Sequence, residues 1–575
     1  MSAETMEADV MICGGGPCGL MLANELGRRG VSVFLADEKE STAFNPQANA
    51  TQARTMEHYR RLGFADEIRA QGLPPDFPTD IAYFTRYAGH ELARFRLPSA
   101  QEAILKAREL KGPWSAAELP HRVSQKYVEA VLRRQAERLP GVTVRYGHRV
   151  ADFKEDAEGV ETTVVDRRGG TPFIVRSRYL VGADGPRSFV RERLGFRYTG
   201  ETGIIRDFMG GRMFAVYLRC PDFYQRIPHA SAWMNVTFNR DRRAFMAAVD
   251  GKGEFAFHTQ LRAHEKEETF TDADARALFI AAAGIDLDVE VLSKGGWTAG
   301  HSLVAEHFQR GRIFLGGDAV HLFTPTGGLG YNTAVEDAVN LGWKLASVLK
   351  GKAGVGLLDT YELERRPLAI RNTSYARAFA DSLGLFAPVA EIEEDGPRGD
   401  AARVEAGKYL GEHGRAEFNI PGVTFGDRYD GSPAIVADGS CPPADAPNAY
   451  TPTAYPGGRP PHAWLEDGSS LFDAFGFDWT LLVLGPIAED ATPFASAMNR
   501  FNVDLRVVRI SGPEISALYE APLVLIRPDQ IVAWRGSTAS EANRIVNRVL
   551  GHRDEAREGE LTVLPSEMRD SGVRQ

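Results

Sequence analysis

The sequence predicts an α/β fold. A parallel sheet opened by a βαβ unit is interrupted by a mainly antiparallel sheet and followed by a separate C-terminal α/β unit. Three observations carry this reading. Residues 8–37 run strand, glycine-rich turn, helix, strand. Residues 204–300 are dominated by strand-like alternation. Seven prolines between Pro442 and Pro461 set that body apart from four further apolar runs. At 575 residues the chain is too long for one core, so two to four domains are expected.

Taken in order, ADVMIC is a short apolar strand and GGGPCG the turn after it. In LMLANELGRRG, Leu20, Leu22, Ala23 and Leu26 share one helix face, and Gly30 stops the helix. VSVFLAD is the second strand, and a βαβ unit implies a parallel sheet. Residues 73–120 are irregular, with alternating runs such as DIAYFTRYAG. HRVSQKYVEAVLRRQAERL predicts a long helix; VTVRYGHRV, VETTVVD and PFIVRSRYLVGADG predict strands. MFAVYLRC, SAWMNVTF, RAFMAAVD and EFAFHTQL belong to the second sheet, and the chain returns to the first near RIFLGGD. Helices are expected at 332–349 and 357–383. EEDGPRGD reads as a hinge. The proline density of 442–461 blocks helix and central strand, which predicts an extended surface linker. DWTLLVLG, VDLRVVRI, PLVLIRP and QIVAWRG are strand candidates, with a helical stretch at 492–501 between the first two.

Hydrophobic residues at 43% and charged residues at 25% describe an ordinary globular protein. The net charge of -10 argues against nucleic acid or an anionic membrane as partner. Cys13, Cys18, Cys220 and Cys441 have neither CxxC nor zinc-ligand spacing, so no metal site or disulfide framework is expected, and a reducing cytoplasm suits the chain. MSAETMEADV lacks the basic and apolar parts of a signal peptide, and no run reaches the ~18 apolar residues of a membrane span.

GGGPCG is a GxGxxG turn made by Gly14, Gly16 and Gly19, with Gly15 and Pro17 between them. Gly14 permits the tight turn, Gly16 lets backbone approach a pyrophosphate, and Gly19 lets helix pack on strand. The helix N-terminus then offers unpaired N–H groups to phosphate. Asp37 ends the next strand where an acid accepts ribose hydroxyls; Glu38 is the alternative. This motif alone does not separate NAD from FAD. Two further strand-end signatures do, GADG at 182–185 and GGD at 316–318. A dinucleotide held by one βαβ unit needs neither. FAD, with a ribityl chain and a ring beyond its pyrophosphate, can use both. Asp318 can hold ribityl hydroxyls. The N–H groups of Gly328, Leu329 and Gly330, entering the helix near Asn332, can face the flavin pyrimidine and stabilise an anionic reduced flavin.

Together, GGGPCG, GADGPRSFVRERLG and GRIFLGGDAVHLFTPTGGLGYNTAVEDAVNLGWKLA resemble the FAD-dependent aromatic hydroxylases, the single-component flavoprotein monooxygenases. PHAWLEDGSSLFDAFG, TLLVLG and VLIRPDQIVAWRG resemble the C-terminal thioredoxin-like domain of the phenol hydroxylase branch. The resemblance implies a Rossmann-like FAD-binding domain from 1–75, 121–200 and 301–385, and a substrate domain from 76–120 and 201–300. A linker over 386–455, a thioredoxin-like domain over 456–560 and a tail at 561–575 complete it. It also implies Asp184 as the acid bridging FAD and nicotinamide regions, Asp318 as ribityl ligand, Pro325 beside the flavin ring, and Gln125 and nearby Arg122 at the FAD phosphates and ribityl. Arg54 is implied as a cofactor contact, with a surface helix ion pair the competing reading. His321 falls at a family histidine position, where local packing and a base role both fit. Asn49 stands near the place of a phenol hydroxylase's catalytic acid and cannot act as a base. No Cys follows Cys441, so the last domain does no disulfide exchange.

The activity implied is hydroxylation of a phenolic or other aromatic substrate with NADPH or NADH and O2, through a flavin C4a-hydroperoxide, in a cytoplasmic homodimer. No second GxGxxG lies in a βαβ context, so the nicotinamide binds transiently over the flavin, which swings between positions. Candidate ring-pocket residues are Met213, Tyr217, Trp233, Met234 and Phe245; plain core packing is the competing reading. Candidate bases are His258, Tyr217 and His229, each of which also suits a structural place. Arg206 and Arg212 are candidates for a substrate carboxylate or for a solvated surface. The alternatives are a non-oxygenating FAD oxidoreductase and a flavin-binding sensor or interaction protein without turnover. A halogenase is disfavoured because GGWTAGH does not match WxWxIP.

Overall fold

The computed structural model describes residues 5–202, 210–485 and 489–552. Its first sheet has eight strands. Six run in the order Gln309–Arg310, Ile313–Leu315, Phe173–Gly182, Thr5–Cys13, Val33–Asp37, Val142–Tyr146. His148–Glu155 and Val160–Asp166 extend Phe173–Gly182 antiparallel. Thr5–Cys13 lies centrally and parallel to both neighbours, and its apolar run Val10–Ile12 is wholly buried, as an inner parallel strand must be. Register brings the strand ends level. Cys13 stands opposite Ala36 on one side and Gly182 on the other, and Gly182 stands opposite Leu315. The carboxyl ends of four strands from distant parts of the chain finish on one line, where open α/β sheets bind ligands.

The second sheet has seven strands in the order Glu290–Ala299, Gly211–Arg219, Glu254–Gln260, Ala244–Ala248, Met234–Thr237, Ile81–Phe84, Glu91–Phe95. All neighbours are antiparallel except Met234–Thr237 with Ile81–Phe84. Alternation sorts its side chains. One face packs Phe214, Phe255 and Phe257 against Phe223, Phe270 and Phe279, the last on the helix Asp272–Ala283. The other turns toward the first domain: Lys126, in the helix Gln125–Glu137, reaches Tyr217, and Arg122 just before it lies over Trp233.

The helix expected at 332–349 starts earlier, as Leu329–Leu349, because Gly328 at φ 65° caps it and turns the chain straight into it. EEDGPRGD is no hinge. Pro397 opens the 22-residue helix Pro397–Phe418 at a position that needs no N–H. The stretch 442–461 forms neither helix nor strand beyond isolated bridges. After it, the strands Leu505–Ile510, Trp479–Leu484, Leu523–Ile526 and Val532–Gly536 make a four-stranded sheet in that order; the first pair is parallel and the others antiparallel. This unit shares a core with the first domain: Trp479 meets Trp343 edge-on at 5.8 Å. A buried polar knot joins them as well. Glu364 accepts hydrogen bonds from Asn340, Lys344, Ser432 and both terminal nitrogens of Arg527. Among the described residues no helix is long and apolar enough to cross a membrane, and no cluster of three or more His, Cys, Asp or Glu is placed to hold a metal ion.

Candidate active site

The aligned strand ends carry a cradle that fits a dinucleotide. A Cβ on Gly14, whose φ is 112°, would stand 2.2 Å from the Ala183 carbonyl oxygen; one on Gly19 would stand 2.0 Å from that of Gly14. Both glycines are compelled by packing. Gly16 differs: a Cβ there meets nothing within 4 Å, so its outward side is open. Gly16 is also the N-cap of the helix Pro17–Arg28 and supplies no side-chain cap, which leaves the first N–H groups for an anion. Pro17 sits in the first turn, where its missing N–H costs nothing. The Asp37 carboxylate accepts from the Gly15 N–H at 2.6 Å and the Lys39 N–H at 2.7 Å, which fixes it at the turn with lone pairs to spare. Glu38 is exposed beside it. Tyr146, which sequence reasoning missed, donates to the Gly15 carbonyl at 2.6 Å.

At the second strand end, Asp184 accepts from the Ser188 hydroxyl at 2.5 Å and the Val190 N–H at 3.1 Å, and burial pushes its carboxyl up. At the third, the Gly317 N–H and His321 Nε2 both bind one oxygen of Asp337, while Arg365 binds the other. This buried triad shapes the GGD turn and uses His321 locally, away from any base role. The turn presents Asp318 outward. Its carboxylate is solvent-accessible and has no hydrogen-bond or ion-pair partner among the described residues, and the enclosing walls raise its pKa.

Pro325 is exposed on the next loop. The helix Leu329–Leu349 has no side-chain cap, so the N–H groups of Gly328, Leu329 and Gly330 lack intrahelical partners. Asn332 is not turned outward with them. Its amide donates to the Ala50 and Gly328 carbonyls and its oxygen accepts from the Gln52 N–H, so it clamps the loop instead of facing a ligand. Gln125 opens its helix and donates to Glu129, another residue the sequence did not single out. Arg54 is a correction. It is buried, and its guanidinium is spent on Glu57, Gln530 and the backbone carbonyls of Asp529 and Gln530, which ties the first domain to the C-terminal unit. Nothing in its own stretch of sequence marked a partner so far along the chain.

Register puts Met213, Tyr217, Met234, Phe245 and His258 on the one sheet face that turns toward the cradle. Small Ala215, Ala247 and Ala256 lie among them. Trp233, at the edge, carries the Arg122 guanidinium 4.5 Å above its ring, with Phe418 at 6.0 Å. Arg122 has no hydrogen bond or ion pair among the described residues, and burial lowers its pKa to about 10.

The candidate bases are corrected. Tyr217 donates to Glu254 and accepts from Lys126, and burial together with Glu254 drives its pKa up, so its proton is held. His229 bonds the Gly89 carbonyl and packs on Phe84, whose side chain belongs to the opposite sheet face. His258 stacks on Phe245 at 4.5 Å, and its Nδ1 accepts from the Trp297 indole N–H at 3.2 Å; burial lowers its pKa to about 4. Asn49 has a buried side-chain oxygen with no partner among the described residues. Arg212 donates to the Glu265 carbonyl, and Arg206 lies outside the described residues.

Comparison with known proteins agrees with this geometry. Residues 7–376 match an FAD binding domain family, and residues 453–552 match the C-terminal domain of aromatic-ring hydroxylases. The FAD-dependent monooxygenase opdD of Penicillium oxalicum is 31% identical over 87% of this chain and 99% of its own. Phenol 2-monooxygenase of a Pseudomonas species is 30% identical over 93% of this chain and 91% of its own. Among solved structures, RebC soaked with chromopyrrolic acid and holding 7-carboxy-K252c superposes with a TM-score of 0.85 at 32% identity, covering 96% of this chain and all of RebC. The Penicillium and Pseudomonas relatives are named as monooxygenases, which favours oxygenation over a non-oxygenating reductase or a sensor.

Proposed function

The chain belongs to the FAD-dependent aromatic hydroxylases, and from that premise we propose that it uses NADPH or NADH and O2 to hydroxylate a phenolic ring lying on the apolar face of the seven-stranded sheet. The observation that carries the reading is the alignment of Cys13, Gly182 and Leu315 at one end of the sheet, with an open glycine turn beside it and an Asp318 carboxylate and helix N–H groups that have no partner among the described residues. Bound FAD would supply the redox chemistry that activates O2. The residues of this chain hold and aim. Gly14, Gly15, Gly16 and Gly19 with Asp37 take the adenosine and pyrophosphate end. Asp318, Pro325 and the Gly328–Leu329–Gly330 amides take the ribityl and ring end. Met213, Met234, Phe245 and Trp233 exclude water from the face where the substrate lies. Asp184 and Gln125 stand nearer to structure than to ligand.

The strand order and directions of the last sheet support a thioredoxin-like unit, which without CxxC acts in packing or subunit contact. A cytoplasmic homodimer fits that role, and sedimentation equilibrium would test the dimer.

Purified protein loaded with FAD is expected to oxidise NADPH or NADH with matching O2 uptake when phenols are supplied, and to place one 18O atom from labelled O2 in the product. Nicotinamide oxidation with no labelled product over a broad phenol panel would refute the proposal.

A further inference from the structure

His258 is clamped. Phe245 stacks on its ring nearly parallel, with 8° between planes, and Trp297 stands edge-on at 84° with its N–H aimed at Nδ1. An indole N–H can only donate. Nδ1 is therefore the unprotonated nitrogen, and a neutral imidazole then carries its proton on Nε2. The ring stays neutral through physiological pH because burial alone, with no neighbouring charge acting on it, lowers its pKa to about 4. Of the described charged and titratable groups along this face, Tyr217 and Glu254 are bonded to one another and to Lys126 from the helix Gln125–Glu137, and Arg243, two residues before Phe245, lies over the Phe238 ring. No described residue binds Nε2. His258 is half-buried on the sheet face turned to the cradle, with its Nε2 side not taken up by any bond of the described residues.

We propose that His258 is a substrate-orienting hydrogen-bond donor, its Nε2–H holding the ring oxygen of the substrate as a phenolate or enolate, with Trp297 as the positioning residue that keeps this tautomer. The inference rests on the hydroxylase reading above and deepens it. With a donor at His258, Tyr217 holding its proton and Asn49 unable to ionise, none of these candidates among the described residues removes a phenol proton. The proton is left in solvent before binding. The substrate class is therefore a phenol or enol acidic enough to arrive ionised, one with a nitro, carbonyl or quinone group in conjugation, in preference to an unactivated phenol. The anionic oxygen keeps the ring electron-rich, and the donor fixes which carbon faces the flavin side.

The test uses FAD-loaded protein and 4-nitrophenol, followed by difference absorbance of the phenolate from pH 5 to 9. A hydrogen bond to a charged oxygen predicts that the wild type binds the anion about tenfold or more tightly than the acid, so the bound phenol titrates about one unit or more below the free one. His258→Phe should abolish that shift with FAD affinity unchanged, and His258→Asn, which retains an N–H donor, should restore part of it. Trp297→Phe should weaken the shift and move the His258 15N resonances from a pure Nε2–H pattern toward a tautomer mixture, a change no purely structural role produces. The proposal is overturned if the wild type fails to bind the anion at millimolar concentration, if the bound titration is unshifted or raised, or if His258→Phe keeps the shift. None of these readouts uses turnover. A protein that binds the anion this way yet never hydroxylates refutes the hydroxylase reading alone.

Discussion

Asp318→Asn separates a residue that builds the site from one that builds the fold. The wild-type carboxylate faces the crevice with no partner among the described residues, and the walls around it raise its pKa. A carboxyl whose folded pKa exceeds its unfolded value opposes folding once pH passes the unfolded value, and the penalty is complete above the folded one. Neutralising it should leave the melting temperature of the FAD-free protein unchanged or slightly raised at neutral pH. Lowering the pH toward the carboxylate range should erase the difference. With FAD the sign reverses. Losing charge-assisted hydrogen bonds to ribityl hydroxyls costs about 1.5–3 kcal/mol, which corresponds to FAD binding roughly 10- to 150-fold weaker. The stabilisation conferred by saturating FAD shrinks accordingly. Fluorescence titration of FAD gives the affinity, and melting with and without FAD gives the rest. A FAD-free variant melting several degrees lower, or an FAD affinity within twofold of wild type, would refute the assignment of Asp318 as an unpartnered ligand.

Gly16→Ala should leave the FAD-free fold intact, because its Cβ meets nothing, yet abolish tight FAD binding; Gly14→Ala should also destabilise the FAD-free protein by roughly 1–3 kcal/mol, since φ 112° and the Ala183 carbonyl both resist a side chain. Differential scanning fluorimetry with and without FAD distinguishes the two. Glu364→Gln should cost about 3–5 kcal/mol in urea unfolding, because it leaves Lys344 and Arg527 buried without their full counter-charge. Burial opposes ionisation of Glu364, but Arg527 and Lys344 outweigh it and hold its carboxyl below the usual range. Its contribution is therefore present above the unfolded carboxyl pKa, about 4.3, and the gap between wild type and variant should close as pH falls below that. Arg54→Met should loosen the C-terminal unit, exposing its amides to hydrogen exchange, while FAD affinity changes less than threefold; a large loss of FAD affinity with exchange unaltered would reinstate a direct cofactor contact.

Local chemistry made the cradle readable. The requirement on Gly14 and Gly19 is a steric one within a single βαβ unit, and each glycine is needed where the sequence puts it. The same holds for Asp37, which is bonded to the turn 22 residues earlier through the Gly15 backbone amide, a donor that any sequence in this unit would present. The period of two sorted Met213, Tyr217, Met234, Phe245 and His258 onto one face, because strand alternation is set residue by residue. What each side chain then does is not local. Tyr217 lost its candidacy as a base through Lys126 and Glu254, His321 through Asp337, and Arg54 its place at the cofactor through a loop near the other end of the chain. His258 is the sharpest case. Its residue type suggests a base, but which nitrogen carries the proton is decided by Trp297, two strands away across Gly211–Arg219. A sequence can place an imidazole on a face; only the partner at Nδ1 decides whether that face offers a proton acceptor or a donor. The chemistry open to the substrate therefore turns on a contact between strands rather than on the histidine itself.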